Sequence, residues 1–358
     1  MLWLVGLGIN GHRGLSLVAV DVLKQCDTVY VERYTGALYK EDLEGLISIL
    51  GPKVTTVERW FVEDGREILE TAKSKGVALA TYGDPLVATT HSELRARAAR
   101  NSIKTSVLHA ASGITSAIGE TGLHAYKFGR MVTMMSEPHS ATSVYSVVFD
   151  NLLAGSHTLI VTEYRYDEGS DPYFLNPTQV FKMLAEAEAD QKHQVFSDRT
   201  FAIVASRVGT DSQDVVSGSV RSLLQFEFGQ GPHSVIIPGA LHFTETEALA
   251  SLCNNLDAPT DNSQNIRKIS SQMVERYAPR AKHAVQQMRE IIRAETNRES
   301  STKGMFDVLE NADSYISDAE RFLHQCKFEL AVLSIGYAEG LIDSLRFQKG
   351  INPWNAPG

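Results

Sequence analysis

Two stretches carry residues placed for chemistry. The first, Gly6–Gly11 (GLGING), matches G-x-G-x-x-G letter for letter directly after an apolar run, and Glu32 ends the next β-rich run. Glycines so spaced let a backbone approach a pyrophosphate at a helix N-terminus, with the acidic residue on a ribose hydroxyl. However, His12, Arg13 and Gly14 intervene before helical spacing resumes in LSLVAVDVL, so the letters equally fit a turn that passes close to its neighbours or to a ligand. The second stretch, Tyr82–Arg100, reads YGDPLVATTHSELRARAAR. Gly83 frees the turn, while Pro85 fixes one φ angle and removes a donor. Asp84 is thereby expected to be presented just past the end of a buried strand, the edge where open α/β sheets bind ligands. Its carboxylate could accept hydrogen bonds from a ligand hydroxyl or amine. Taken singly, Asp84 also fits a turn-forming residue and His91 a partly buried helix residue. Thr89 and Thr90 offer caps for the helix that follows.

Composition bounds what such a site can serve. The 358 residues are 43% hydrophobic and 22% charged, as in soluble proteins large enough for two or three domains. The net charge of −9, without any Lys/Arg block, leaves no electrostatic footprint for a nucleic-acid partner. Cys26, Cys253 and Cys326 are scattered without CxxC spacing, which argues against a zinc site or disulfide framework and suits a reducing compartment. No apolar run approaches the roughly 20 residues of a membrane span. The start, MLWLVGLGING, lacks the charged region of a secretion signal. A soluble, cytoplasmic protein is expected.

The elements that must hold these residues alternate between short β-rich runs and helical patterns up to about residue 255. That alternation predicts an α/β fold with largely parallel sheets. Strands are expected at Leu2–Gly6, Thr28–Glu32, Val77–Thr81, Lys104–His109, Thr158–Glu163, Phe201–Ser206 and Ser234–Pro238. Helices are expected at Leu15–Gln25, Tyr39–Leu50, Arg66–Ser74, Thr89–Arg100, Thr142–Leu153 and Thr178–Glu188. The texture loosens after residues 119–130, dividing the region into one α/β domain over 1–121 and a second over 122–255. Residues 256–265, rich in Pro, Asp, Asn, Ser and Thr, read as a linker. Beyond them, over 266–350, apolar residues recur at three and four. Ile266, Ile269, Met273 and Val274 begin the stripe, and Leu341, Ile342 and Leu345 end it, as in a small helical bundle.

Five segments together resemble the diphthine synthases, a branch of the tetrapyrrole-methylase-like family of S-adenosylmethionine-dependent methyltransferases. They are Val5–Ile9 (VGLGI), Gly83–Arg95 (GDPLVATTHSELR), Thr121–Gly129 (TGLHAYKFG), His157–Val161 (HTLIV) and Pro232–Leu249 (PHSVIIPGALHFTETEAL). The resemblance implies two α/β domains with S-adenosylmethionine in the cleft between them, released as S-adenosylhomocysteine, and a homodimer. It also implies repeated methylation of the amine on the aminocarboxypropyl-modified histidine of translation elongation factor 2. Carried over by position, donor contacts would fall on Ile9, Asp84, Val87, Gly113, Ile114, Thr162, Val208 and His233. Gly113 stands where the resembling proteins have serine, Thr162 where leucine is usual and Val208 where alanine is common; Ser112 or a backbone N–H would replace the lost hydroxyl. Neither a metal nor a covalent intermediate is implied. His12, Glu163 and His233 are candidate bases, and His157 reads as a packing or capping residue. The helical tail resembles an uncharacterised archaeal α-helical domain, which implies an archaeal source. A corrin-type small-molecule methyltransferase and, on GLGING alone, a nicotinamide-dependent oxidoreductase are the alternatives.

Overall fold

A computed structural model describes residues 1–166, 171–295 and 303–354, with the side chains of 263–269, 272 and 295 outside the description. The chain forms two compact units, Met1–Ser263 and Gln264–Gly358.

The first unit begins with a five-stranded sheet of β1 (Leu2–Gly6), β2 (Thr28–Glu32), β3 (Val54–Val57), β4 (Val77–Thr81) and β5 (Thr105–Leu108), ordered β3-β2-β4-β1-β5. Every pair is parallel. Strands buried on both faces need near-continuous apolar runs, and LWLVG and VALAT supply them. Leu2, Leu4, Tyr30 and Leu79 pack on one face, and Val5, Val29, Val31 and Ala80 on the other. Helices α1 (Leu17–Gln25), α2 (Lys40–Leu50), α3 (Arg59–Asp64), α4 (Arg66–Ser74) and α5 (His91–Arg100) connect these strands. The edge strand β3 has no counterpart among the expected strands, because its VTTV run exposes two threonines and lacks an apolar stripe.

Helix α6 (Gly113–Thr121), capped by the Ser112 side chain on the Ile114 N–H, ends at Gly122 in the left-handed region. Its Ala117 and Ile118 pack in one cluster with Leu159, Ile203 and Ile236 of the second sheet. That sheet contains β6 (Val132–Met134), β7 (Thr158–Thr162), β10 (Phe201–Ser206), β11 (Asp214–Ser219), β12 (His233–Ile237) and β13 (Asn254–Asn255). A small ribbon, β8 (Tyr164–Arg165) and β9 (Tyr173–Phe174), follows β7. Helices α7 (Pro138–Leu153), α8 (Pro177–Gln191), α9 (Val220–Leu223) and α10 (Phe243–Leu252) complete the unit.

The expectation of largely parallel sheets holds for the first sheet, whereas the second is mixed, with β6 parallel to β7 and β11 to β13. Strand β10 runs antiparallel to both β11 and β12, and β12 antiparallel to β7. The short loop between β10 and β11 is the reason, since only antiparallel neighbours can be joined without a crossover. Residues 256–262 are tied to this sheet rather than free. Asp257 accepts from the Ser219 N–H and hydroxyl, and Asn262 bridges Phe201 and Pro238.

The second unit is helical, built from α11 (Ser263–Glu295), α12 (Lys303–His324) and α13 (Phe328–Lys349). Ile266 and Ile269 lie outside the described side chains. Val285, Met288, Ile292, Leu309, Ile316 and Ile342 form its core, with alanines at 281, 312, 319, 331 and 338 between them.

Candidate functional site

The site starts where β1 and β4, adjacent in the first sheet, run out together. Beyond their last paired residues the two loops stay joined: the Gly8 N–H donates to Gly83 O at 3.2 Å and the Gly83 N–H to Gly8 O at 2.8 Å. Both glycines hold positive φ, +73° and +77°, which side-chain-bearing residues rarely adopt. The Tyr82 hydroxyl donates to Ile9 O at 2.6 Å and locks the same junction. GLGING therefore makes a loop paired with the Gly-Asp-Pro turn. A short 3-10 turn, Gly11–Gly14, then intervenes, and α1 begins only at Leu17. No helix N-terminus sits at the glycines, so the dinucleotide-cradle reading fails on geometry.

Asp84 corrects one expectation. It is buried, with 5% exposure, rather than presented. Oδ1 accepts from the Leu86 N–H at 2.9 Å, while Oδ2 faces His109 Nδ1 at 2.8 Å and accepts from the Ala110 N–H at 3.2 Å. Burial raises its carboxyl, but the bonds from Leu86, His109 and Ala110 outweigh that and hold it below its ordinary value. Asp84 is thus a fixed anion that welds the turn after β4 to the end of β5. Val87, half-buried, follows inside the same turn.

His91, the last residue of GDPLVATTH, is 1% exposed and braces the turn from beneath. Its Nδ1 lies 3.0 Å from Pro85 O, so this nitrogen carries the proton, and Nε2 accepts from the Tyr34 hydroxyl at 3.1 Å. Burial depresses its basicity and keeps it neutral.

The remaining expected contacts fall into two groups. Ser112, Gly113 and Ile114 lie at the start of α6, with the Ser112 Cα 4.0 Å from where a Cβ on Gly83 would stand. A Cβ on Gly113 would meet nothing within 4 Å, so the face beside Ser112 is open. Val208 follows β10 and packs beside Ile114 in the same apolar cluster, and Gly209 is so close to Ile9 that a Cβ there would fall 2.3 Å from the Ile9 side chain. Ile9, Asp84, Val87, Gly113, Ile114 and Val208 therefore converge on one region.

Thr162 and His233 form the second group, on adjacent antiparallel strands. The Thr162 hydroxyl donates to His233 O at 2.8 Å, and His233 Nδ1 meets Ser206 Oγ at 2.8 Å. Burial, reinforced by the Arg207 charge, pushes His233 down to about 4, which leaves it neutral and a weak base. It lines a cleft of about 240 Å³ with Tyr173, Phe174, Asn176 and Gly229–Gly231. The Tyr39 hydroxyl reaches this cleft's wall, donating to Gly231 O at 3.1 Å.

Two of the candidate bases are engaged elsewhere. His12 pairs with Asp42 of α2 at 3.0 Å. Glu163 accepts from the Ser136 N–H at 2.7 Å and pairs with Arg165 at 3.1 Å. His157 packs as expected: its Nδ1 accepts from the Gly239 N–H at 2.9 Å, which leaves Nε2 to donate to Glu245 at 3.0 Å.

Glu32, which the sequence offers only as a ribose-hydroxyl acceptor, is enclosed by the fold. Glu32, fully buried at the end of β2, accepts through Oε2 from the Tyr34 and Thr35 N–H groups, both at 2.9 Å. Its Oε1 has no hydrogen-bond partner among the described residues.

Two packed α/β sheets with a glycine loop and an aspartate turn paired at the ligand edge define the class, and the match to the Tetrapyrrole (Corrin/Porphyrin) Methylases spans residues 1–224. Residues 264–351 match a separate family of unknown function, DUF357. Diphthine synthase of Methanocaldococcus jannaschii is 36% identical over 259 residues, 72% of this chain and 100% of that protein. The Methanothermobacter thermautotrophicus diphthine synthase is 34% identical over 254 residues, 70% of this chain and 95% of that protein. A crystal structure of diphthine synthase superposes with a TM-score of 0.64 at 29% identity, covering 74% of this chain and 100% of that one. The chain belongs to the diphthine synthase family of methyltransferases, with a DUF357 unit following the enzyme.

Proposed function

We propose that the chain takes methyl groups from S-adenosylmethionine and places them on the amine of the aminocarboxypropyl-modified histidine of translation elongation factor 2, working as a cytoplasmic homodimer of archaeal origin. One observation carries the reading: the reciprocal Gly8–Gly83 hydrogen bonds bring the two motif loops into a single edge, with Ser112–Ile114 and the Val208 loop beside it. The residues there fit a sulfonium nucleoside. Ile9, Val87, Ile114 and Val208 offer half-buried or buried apolar surface, Gly113 leaves open space, and Asp84 supplies a fixed negative charge near which a cation is favoured. When bound, the donor supplies an electrophilic methyl on a leaving group that departs neutral. The protein's part is then to position the amine, where orientation can contribute roughly 7–11 kcal/mol, and to exclude water.

Titration calorimetry with S-adenosylmethionine and with NAD(H) tests the donor. Binding of NAD(H) alone would reject the reading. Labelled donor incubated with elongation factor carrying the aminocarboxypropyl histidine should label that protein; label entering a corrin instead would assign the small-molecule alternative.

A further inference from the structure

The Asp84 carboxylate holds an imidazole at the ligand edge. The register of β1 against β5 pairs Val5 with Leu108, so His109, one residue further, stands level with Gly6 where GLGING begins. Its Nδ1 lies 2.8 Å from Asp84 Oδ2, and the same oxygen accepts from the Ala110 N–H. An ionised carboxylate only accepts, so Nδ1 carries the proton and the neutral ring keeps its lone pair on Nε2. The two partners differ in access, since the Asp84 side chain is 5% exposed and that of His109 67%. Among the described residues Nε2 has no hydrogen-bond partner. A few residues on, Ser112 caps α6, and Gly113 leaves the face beside it open.

The other imidazoles around the motif loops are committed. His12 pairs with Asp42, buried His91 spans Pro85 O and the Tyr34 hydroxyl, and buried His233 meets Ser206. His109 alone among these joins a buried, fixed carboxylate on one nitrogen to an open position on the other. That is the arrangement in which an acid orients a base, fixing its tautomer and stabilising the imidazolium it becomes.

We infer that His109 is the proton acceptor for the substrate amine, taking an ammonium proton at Nε2 while Asp84 holds the ring at Nδ1. This rests on the methyltransferase reading above. The ammonium N–H bond breaks, the proton forms a bond to Nε2, and the amine nitrogen keeps the electron pair. That pair forms the new N–C bond as the methyl–sulfur bond breaks, its electrons staying on sulfur. The imidazolium forms against the Asp84 charge and faces water, to which it returns the proton before the next transfer.

The experiment uses the full chain, saturated with labelled S-adenosylmethionine and with elongation factor carrying the aminocarboxypropyl histidine. His109→Asn sets an amide nitrogen near the place of Nδ1, so it can still donate to Asp84 but has no basic nitrogen. His109→Ala removes both functions. Turnover should fall about 10²–10⁴-fold in each, while the Asn variant keeps the wild-type calorimetric affinity for the donor. Added imidazoles should restore turnover of the Ala variant in the order of their basicity, a response that a mere clasp would not give. Wild-type turnover in a folded Asn variant, or a slow Ala variant that no imidazole restores, overturns the inference. Either variant decides alone if the other fails to fold. A wild type that binds no donor would instead reject the proposed function.

Discussion

Gly8 and Gly83 exchange both backbone hydrogen bonds, although they belong to loops far apart in the sequence. The closeness leaves no room two residues earlier, since a Cβ on Gly6 would stand 2.7 Å from Gly83 O and from the Ala110 Cβ. Gly6→Ala is therefore expected to push the Gly-Asp-Pro turn away from β5. Such overpacking costs roughly 1–3 kcal/mol. Donor affinity should fall by more than global stability does, as read by calorimetry beside urea denaturation.

Asp84 has a different liability. Three donors converge on its carboxylate, so Asp84→Ala strands the Leu86 and Ala110 N–H groups in a buried turn. Leaving buried groups unsatisfied costs roughly 1–3 kcal/mol, and the variant should lose both stability and donor affinity. Asp84→Asn keeps the shape and an acceptor but removes the charge. If Asp84 serves only as a structural clasp, Asn will bind donor as tightly as Asp; a cation-facing role requires weaker binding by the folded Asn variant.

Much of this edge was legible in the sequence because its elements are local. Apolar runs such as LWLVG and VALAT give the bounds of β1 and β4, and Gly-Asp-Pro announces a turn wherever it stands. The misplacements came from partners distant along the chain. Nothing near His12 signals Asp42, nor near Glu163 signals Ser136, the partners that engage these two side chains. His109 was invisible as the partner of Asp84 because their meeting requires the order β4-β1-β5, which no short window encodes. Helix α6 is absent from the expected helices because the glycines and hydroxyl residues of GITSAIGET are weak helix formers, and it starts where Ser112 caps it.

Acid should unfold the enzyme unit through His233. In the unfolded chain this ring takes a proton near its ordinary value, whereas in the fold it stays neutral until about 4. The unfolded state therefore binds more protons between those values, and stability falls as pH drops through that window. The loss amounts to roughly 3 kcal/mol by pH 4. Glu245, held down to about 2, adds to it from pH 4.5 downward. His233→Gln should flatten the upper part of the slope in urea midpoints measured from pH 7 to 4.

Glu245 offers a control remote from the proposed chemistry. Its buried carboxylate gathers the His124 and His242 N–H groups, His157 Nε2 and the Lys127 ammonium. Glu245→Ala leaves Lys127 and His157 without their acceptor and should cost about 3–5 kcal/mol, the penalty for breaking a buried ion pair from one side. Donor affinity in whatever fraction remains folded at low temperature should match the wild type.

The helical unit should be removable, provided the cut respects Asn262. That side chain is 3% exposed and bonds Phe201 N–H, Phe201 O and Pro238 O, so it fastens the end of the enzyme unit onto the second sheet. Truncation after Ser263 keeps this clasp and follows the boundary between the two compact units. The shortened chain is expected to fold cooperatively and bind donor with wild-type affinity. Cutting instead before Asp257 removes the acceptor for Ser219 as well as the Asn262 bridge. That variant should lose roughly 2–4 kcal/mol, from several buried hydrogen bonds at about 1 kcal/mol each. Equal urea midpoints for the two truncations would show that residues 256–262 contribute nothing to the sheet.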